Sequence, residues 1–415
     1  MKRQPSLLLS DEQILSFRLA RHHLMPGYEP ATIPEAFGGW VMPNTPPGAW
    51  MDAVFARMPS ASLQEADRLL SNGKRLLQAW SFRGVPCVFP MEDRALFLSA
   101  LIPQREEAWL YTNGIQLALD ALHMSQEELL PYVERAVSCC LEDQTILSKA
   151  SLDQVLADEI RSHLPGEKRP LWDLPSCYGA NQTMGEAAVS FLLRPCSLKG
   201  LVVFGKREGR TPAFTSFANW AGPALSPPPA NPSDEICSAL VVRYLQLFAP
   251  ATADMFAQMA GVSPGQARRL WSVASETASL LPVLTDRGKA FILEEDLPAF
   301  EEGTHRMEKI PFQHSLRPLF PHDPYLELRD RKLILPSASR SRQVWQTVSN
   351  PGVILVQGRI VGFFRLSRAS SSFSVTVSIW EHPQEGWKEI LEGWFSRYAA
   401  FCGRKLQKID YAVLT

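Results

Sequence analysis

The most informative stretch of the chain is residues 263–293, which read SPGQARRLWSVASETASLLPVLTDRGKAFIL. Ser263 followed by Pro264 gives an N-cap with proline at the first helical position, so a helix begins here. Two apolar runs come next, and the turn at residues 286–289, which contains Arg, Gly and Lys, joins them as a hairpin. A helix followed by a basic-tipped hairpin is the order of a winged helix, in which the helix enters the DNA major groove.

Two further helices are predicted just before this stretch. Residues 233–247 carry apolar side chains near helical period, and a second helix runs from the cap candidate Thr252 to Met259 and stops at Gly261. The unit at residues 233–293 therefore has the element order of a winged helix. Winged helices also serve in contacts between proteins, and for this unit we favour DNA binding over a purely structural role.

A second copy of the same plan lies at about residues 148–220. A helix with an apolar face and a later helix at residues 185–193 precede a strand at residues 201–204. This strand leads into a strongly basic turn at residues 205–210. The proline-rich run at residues 224–232 then reads as a stiff linker between units.

The first copy lies at about residues 10–102. Asp11 caps its first helix, and Ser62 with Glu65 gives the capping pattern of a later one. Its hairpin turns at Phe82-Arg83-Gly84, so each of the three predicted hairpins carries Arg or Lys near its tip. Basic tips on three hairpins favour contact with the phosphates of DNA.

The tail of the chain has a different pattern. Residues 353–379 are predicted to form a β-meander with Gly and Ser turns, followed by a helix at about residues 384–402 and a strand that ends at Leu414. Ahead of the meander, a run of Arg and Lys residues lies between Arg317 and Arg342. Contact with DNA phosphates and an ordinary solvated surface both fit this run.

Length and composition are those of an ordinary globular protein. The chain has 415 residues, 46 % of them hydrophobic and 20 % charged, and its length predicts about three or four compact units. Seven irregularly spaced cysteines predict reduced thiols and no zinc site. A net charge of −1 by itself argues weakly against a nucleic-acid partner, but it does not decide the question, because affinity for phosphate depends on where Lys and Arg lie. Without a signal peptide or a transmembrane run, we expect a cytoplasmic, nucleoid-associated protein.

Short motifs follow one another in a specific order along nearly the whole chain. They are Arg18-Leu19-Ala20, Pro46-Pro47-Gly48, Ala56-Arg57, Arg83-Gly84, Gly185-Glu186-Ala187, Leu193-Arg194-Pro195, Arg243-Tyr244-Leu245, Pro250-Ala251-Thr252, Ser263-Pro264, Ala267-Arg268-Arg269, Asp323-Pro324-Tyr325, Arg329-Asp330-Arg331 and Asn350-Pro351-Gly352. In this order and spacing the chain resembles the tandem winged-helix DNA glycosylases of the AlkZ/YcaQ type, which remove bulky alkylated bases or unhook interstrand crosslinks. The resemblance implies winged helices and a small β-barrel arranged as a C around a DNA-sized cleft.

We therefore predict an α+β fold of three tandem winged-helix (helix-turn-helix) units and a C-terminal β-barrel-like domain. The expected units are winged helix 1 at residues 1–103, a helical connector at 104–147, winged helix 2 at 148–225, winged helix 3 at 226–300 and the β-barrel-like domain at 301–415.

The sequence differs from the family at the catalytic motif. In the family this motif is glutamine-x-glutamine or glutamine-x-aspartate, and it stands just before the helix that here begins near Ala49. Pro43, Asn44 and Thr45 stand at that place, so the glutamine motif is not matched. Cys87 stands where the family usually has a histidine. These two departures put catalysis in doubt and leave the fold untouched.

Excision of a base requires a polar group that positions and polarises a water against the sugar carbon. The candidate catalytic residues are Asn44, Thr45 and Asp323, which lies in the family's cleft-facing stretch. For Asn44 and Thr45 we favour the alternative that they form a turn at the start of the helix. Asp323 fits a turn before Pro324 equally well.

The predicted function is that of a DNA-binding protein of this family, a monomer without cofactor or metal, whose partner is double-stranded DNA, alkylated or crosslinked DNA included. One alternative is an active glycosylase with a non-standard motif. The other is a winged-helix transcriptional regulator, although no dimerisation segment of the kind that repressors use is evident. The predicted DNA contacts are Arg83, Lys206, Arg207, Arg210, Arg268, Arg269, Arg287, Lys289, Arg329 and Arg331.

Overall fold

The computed structural model describes residues 7–104, 106–381 and 383–414, with the backbone alone at residues 303–306. The chain forms two compact units. The first unit contains the chain up to Arg68, Val241–Met259 and the chain from Trp271 onward. The second contains Leu69–Leu240 and Ala260–Leu270. The five units predicted from the sequence stay a prediction.

The described helices are α1 (Asp11–Arg21), α2 (Ala49–Arg57), α3 (Leu63–Asp67), α4 (Arg94–Phe97), α5 (Gln116–Leu122), α6 (Gln126–Cys140), α7 (Lys149–His163), α8 (Arg169–Trp172), α9 (Met184–Leu198), α10 (Phe217–Ala221), α11 (Asp234–Phe248), α12 (Ala253–Ala260), α13 (Pro264–Thr277), α14 (Leu297–Glu308), α15 (Phe312–Ser315), α16 (Ala338–Val344) and α17 (Trp387–Phe401). The strands are β1 (Leu7–Leu8), β2 (Met42–Pro43), β3 (Leu76–Trp80), β4 (Pro86–Pro90), β5 (Ile146–Leu147), β6 (Val203–Phe204), β7 (Ala213–Thr215), β8 (Leu280–Thr285), β9 (Gly288–Leu293), β10 (Leu316–Leu319), β11 (Gly352–Val356), β12 (Arg359–Arg368), β13 (Ser372–Ile379) and β14 (Lys405–Val413).

A five-stranded sheet, in the order β10-β11-β12-β13-β14, dominates the C-terminal part of the first unit. Its first three pairings are antiparallel, but β13 and β14 are parallel, and α17 makes the crossover between them. Val375 and Val377 of the sheet share a core with Leu391 and Phe395 of α17. The β-meander is confirmed. The sheet is open among the described residues, so the β-barrel-like domain is not confirmed; a helix covers the face that closure would have buried.

A buried arginine joins α1 to the end of α11. The Arg18 side chain is 1 % exposed, and its guanidinium donates to the carbonyl oxygens of Phe248, Ala249 and Pro250 at 2.7, 3.1 and 3.2 Å. It also donates to Asp330 Oδ1 at 2.8 Å. The last carbonyls of a helix have no partner within the helix; Arg18 satisfies that of Phe248, the last residue of α11, and the two carbonyls that follow it. The Arg18-Leu19-Ala20 motif thus has a structural explanation.

The third predicted hairpin is present in the first unit. Strands β8 and β9 pair antiparallel from Leu280 opposite Leu293 to Thr285 opposite Gly288, and β1 adds to β8 in parallel. The predicted hairpin is confirmed, but its turn is shorter than expected: Asp286-Arg287 join the strands, and Gly288 and Lys289 already belong to β9. The order α11, α12, α13 and hairpin matches the predicted element order of a winged helix.

The second predicted hairpin lies in the second unit. Strands β6 and β7 pair through Val203 opposite Thr215, and β5 pairs with the other side of β7. Helices α5 to α9 enclose the adjoining core, in which Leu156, Leu192 and Val202 are fully buried. The basic turn at residues 205–212 projects from the end of this small sheet.

The first predicted hairpin is also present, but it differs from the other two because its strands are buried. Nearly every residue of β3 and β4 is inaccessible to water, and the Trp80 ring stacks on that of Phe214 with centroids 5.5 Å apart. At the tip, Arg83 has a φ of 53°. Gly261 packs against it so closely that a Cβ there would lie 2.7 Å from the Arg83 Cα. The strands of this hairpin therefore belong to a core and do not form an exposed wing.

No helix among the described residues is long and apolar enough to cross a membrane. The seven cysteines all lie within the described residues, and none of them forms a disulfide bond. In the described part of the chain, no cluster of three or more His, Cys, Asp or Glu side chains has the arrangement of a metal site.

Candidate functional site

Asn44 lies in the loop before α2 and is 4 % exposed. Its Oδ1 accepts a hydrogen bond from the backbone N–H of Gly48 at 2.6 Å. Gly48 occupies the N-cap position with a φ of 99°, a conformation that glycine adopts easily. The amide oxygen of Asn44 therefore shapes the turn that starts α2, which supports the turn interpretation of this residue.

Asp323 is fully buried in an ion pair with Arg57 of α2. Arg57 Nη1 donates to Asp323 Oδ2 at 2.7 Å, and Nη2 donates to Oδ1 at 2.9 Å. Oδ1 also accepts the backbone N–H of Tyr325 at 2.9 Å. The side chains are 2 % and 0 % exposed, so water does not reach either carboxylate oxygen. This geometry favours a structural role for Asp323 over that of a catalytic base.

Thr45 lies at the rim of a pocket of about 550 Å³ within the first unit. Buried apolar groups form its floor, and exposed Thr45, Arg365 and Arg368 stand at its rim. The volume is within the usual range for small-molecule sites, about 300–1,000 Å³. Of the three catalytic candidates, Thr45 is the one that lines this pocket. The lining residues are Thr45, Pro46, Ala49, Asp52, Phe320, Pro321, His322, Ser349, Asn350, Pro351, Gly352, Phe364, Arg365, Leu366 and Arg368.

The same pocket contains a carboxylate that the sequence analysis missed, that of Asp52 in the first turns of α2. Asp52 Oδ1 accepts a hydrogen bond from the Tyr398 hydroxyl at 2.8 Å. Asp52 Oδ2 lies 3.8 Å from Arg368 Nη2, which also donates to the Tyr398 oxygen at 3.2 Å. The Asp52 side chain is 19 % exposed, so it is held by neighbours and still reaches the pocket.

Burial raises the pKa of Asp52 to about 6, although the hydrogen bond from Tyr398 and the charge of Arg368 each lower it. A carboxylate with such a pKa is ionised at neutral pH and is a stronger base than an ordinary aspartate. General bases in enzymes are often carboxylates tuned in this direction. The signal in the sequence was slight: one acidic residue in the otherwise apolar start of α2, AWMDAVF.

The tip of the second hairpin presents cations to solvent. Lys206 and Arg210 are exposed, and Arg207 is half-buried because its Nη2 donates to the Arg210 carbonyl at 2.7 Å. The hydrogen bond from Arg207 stabilises the tip, and the other two cations, Lys206 and Arg210, face solvent. This is the arrangement expected of a hairpin that contacts phosphates.

Arg287 and Lys289 of the third hairpin have different environments. Arg287 Nη1 donates to Asp11 Oδ1 at 2.7 Å, and its Nε lies 3.8 Å from Asp330 Oδ2. Lys289 is exposed. The charge of Arg287 is balanced within the protein, so Lys289 is the better placed of the two for a phosphate.

Neighbouring arginines on α13 also differ. Arg268 is exposed, whereas Arg269 donates through two nitrogens to both carboxylate oxygens of Glu107 at 2.8 and 2.9 Å. Gln266 donates to the carbonyl oxygen of Leu101 at 3.0 Å, so this face of the helix packs within the second unit. Arg268 is therefore the arginine of this pair that is accessible to a partner.

The remaining predicted DNA contacts are less exposed. Arg83 is half-buried at the tip of the first hairpin. Arg329 Nη2 lies 3.3 Å from Glu327 Oε2, and the guanidinium of Arg331 stacks 4.6 Å from the centre of the Trp345 ring. These three side chains already have partners in the protein, and their contact with DNA stays a prediction.

A family model described as DNA glycosylase AlkZ-like matches residues 40–401. The chain belongs to the AlkZ-like DNA glycosylase family. Among solved structures, the DNA glycosylase AlkZ of Streptomyces sahachiroi has a TM-score of 0.73 and 18 % sequence identity, covering 98 % of this chain and 100 % of that one. This likeness shows that the two share a fold. No curated protein matches the chain.

The AlkZ-like match confirms the family predicted from the sequence. It includes every predicted site residue, from Asn44 to Arg331, and also Asp52 and Arg368 of the pocket. This AlkZ-like chain has no glutamine at residues 43–45, where the resemblance places the catalytic motif. A carboxylate and a threonine line the pocket next to that position instead.

Proposed function

We propose that this AlkZ-like protein binds duplex DNA, damaged DNA included, as a glycosylase-like member of its family. The observation that carries the proposal is the family match over residues 40–401. Exposed cations on the second and third hairpins and on α13 support it, because phosphate contacts supply most of the sequence-independent affinity of a protein for DNA. Engagement in a C-shaped cleft, and a lesion that is alkylated or crosslinked, remain predictions of the resemblance.

The net charge of −1 does not oppose this function, because the cations that matter are placed locally. Lys206 and Arg210 share one hairpin tip, and Lys289 lies at the end of another. Each Lys or Arg that neutralises a phosphate releases counterions, which makes the affinity fall as salt rises. Charges farther than about 8–10 Å from a phosphate contact are largely screened at ordinary salt.

Fluorescence anisotropy with labelled duplexes tests the proposal. An undamaged duplex, a duplex with one alkylated guanine and a crosslinked duplex are titrated with the protein at low salt. We expect binding to at least one of them and its reversal by added salt. Absence of binding to all three at low salt contradicts the proposed function.

A second candidate function is excision of a damaged base by a non-standard motif. The observation that favours it is the pocket beside Thr45, which contains the Asp52 carboxylate. Incubation with the damaged duplexes, followed by heating in base, converts abasic sites into strand breaks. Breaks at the lesion support excision, and binding without breaks restricts the function to DNA binding.

A further inference from the structure

We propose that the pocket beside Thr45 receives one nucleotide unit of DNA and that Asp52 is the catalytic carboxylate which activates water for cleavage of its N-glycosidic bond. The inference rests on the proposed function, since the DNA must first be bound. In this proposal Asp52, a residue of α2 that lines the same pocket as Thr45, takes the role of the absent glutamine motif.

The walls of the pocket fit the parts of a nucleotide. Phe320, Phe364 and Pro351 are buried and give an apolar floor of the kind on which a flat base packs. Arg365 and Arg368 are exposed at the rim, where cations attract a backbone phosphate. The volume of about 550 Å³ lies within the range of about 300–1,000 Å³ for pockets that hold ligands of small-molecule size, such as one nucleotide unit.

The contacts of Asp52 leave one oxygen available for chemistry. Its Oδ1 is held by the Tyr398 hydroxyl, which fixes the orientation of the carboxylate. Its Oδ2 is 3.8 Å from Arg368 Nη2, too long for a hydrogen bond, so its lone pairs can accept a water. Asp323, in contrast, has both oxygens occupied and is inaccessible to water.

The proposed step is a hydrolysis that needs no other reactant than water. Asp52 Oδ2 takes a proton from the water while the oxygen of that water forms a bond to the sugar C1′. The C1′–N bond breaks, and its electron pair goes to the base. A base that alkylation has made cationic departs neutral, and Asp52 then gives its proton to solvent. The ionised carboxylate also stabilises the oxocarbenium-like charge that develops on the sugar.

The other titratable and charged groups around Asp52 must be considered for the pH dependence of this step. Tyr398, Cys402 and Arg368 lie near the Asp52 carboxylate, and His322 and Arg365 also line the pocket. Histidine ordinarily titrates in the same range as the raised pKa of Asp52. The experiment therefore includes a His322 variant.

The test uses the full chain with duplexes that carry an alkylated guanine or an interstrand crosslink. Asp52→Asn keeps the size of the side chain and removes the base, and Asp410→Asn removes an equal charge from an exposed site on β14. We expect Asp52→Asn to lower the single-turnover excision rate by about 100-fold or more while DNA binding is retained. The rate of the wild type and of His322→Asn should rise with pH around the same midpoint, and Asp410→Asn should match the wild type.

Each other outcome overturns the proposal. A wild-type protein that binds the duplexes but excises nothing refutes the catalytic role and leaves the proposed DNA binding intact. Excision by Asp52→Asn at the wild-type rate shows that another group activates the water. A midpoint that disappears in His322→Asn assigns the pH dependence to the histidine. Absence of DNA binding removes both this inference and the proposed function.

Discussion

Replacing Asp52 by asparagine removes a partly buried charge while keeping the shape of the side chain and the acceptor for the Tyr398 hydroxyl. Burial raises the pKa of this carboxyl from 3.8 to about 6 in the folded protein. The folded state therefore holds the proton more tightly than the unfolded state. Its contribution to stability is complete below pH 3.8 and is lost as the pH rises through the window from 3.8 to about 6.

The size of this effect follows from the shift in pKa. One pKa unit corresponds to about 1.4 kcal/mol, so a shift of roughly 2 units makes the ionised Asp52 cost about 3 kcal/mol above pH 7. Asparagine imitates the protonated form at every pH. Asp52→Asn should therefore raise the free energy of unfolding by about 3 kcal/mol at pH 8, and by only about 1 kcal/mol at pH 4.5.

Urea unfolding followed by tryptophan fluorescence measures this difference. Trp394, one of the chain's eleven tryptophans, shares the core of the first unit with Phe55 of α2, so its emission reports on the surroundings of Asp52. Asp410→Asn serves as the control for loss of an exposed charge and should change stability little at either pH. An Asp52→Asn variant that is less stable than the wild type, or whose gain is equal at pH 4.5 and pH 8, refutes the reasoning.

Three further predictions concern the cations of the hairpins and the buried Asp323. Changing Lys206, Arg207 and Arg210 together to alanine should lower the slope of log affinity against log salt by up to about 2.7, at about 0.9 per phosphate contact, and an unchanged slope shows that this hairpin does not touch DNA. Lys289→Ala should lower that slope by about 0.9 in the same titration. Asp323→Ala should destabilise the protein by about 3–5 kcal/mol, because it leaves a buried arginine unpaired; wild-type stability in urea would contradict this.

The hairpins and the meander could be predicted from the sequence because their signals are local. In the third hairpin, Asp286 and Gly288 mark the turn within a few residues of the apolar strands that it joins. The burial of the first hairpin could not be predicted in this way. It depends on the packing of Trp80 against Phe214, more than a hundred residues away in the chain.

The candidate site was harder to predict because long-range contacts decide the role of each side chain. Asp323 and Asp52 are both aspartates near apolar residues in the sequence. The first is neutralised by Arg57, far upstream, whereas the second meets Arg368 and Tyr398 from the distant C-terminal sheet and helix. A local pattern contains neither partner, so it cannot distinguish a structural carboxylate from one that lines a pocket.

The open form of the C-terminal sheet could not be predicted either, because it also depends on contacts between distant parts of the chain. The strand pattern of the tail showed a meander and a final strand, and both are present. It did not show that β14 pairs in parallel with β13, with α17 as the crossover. Two parallel strands need a connection that passes over one face of the sheet. Here α17 is that connection, and it packs on this face of the open sheet.

The binding of a labelled duplex at increasing salt, from 50 to 200 mM, tests the central claim most directly. The proposed function predicts that the protein binds at 50 mM salt and that log affinity falls linearly with log salt, with a slope that reflects several phosphate contacts. A protein that leaves the duplex free at 50 mM salt, or that binds it with an affinity independent of salt, would contradict the claim.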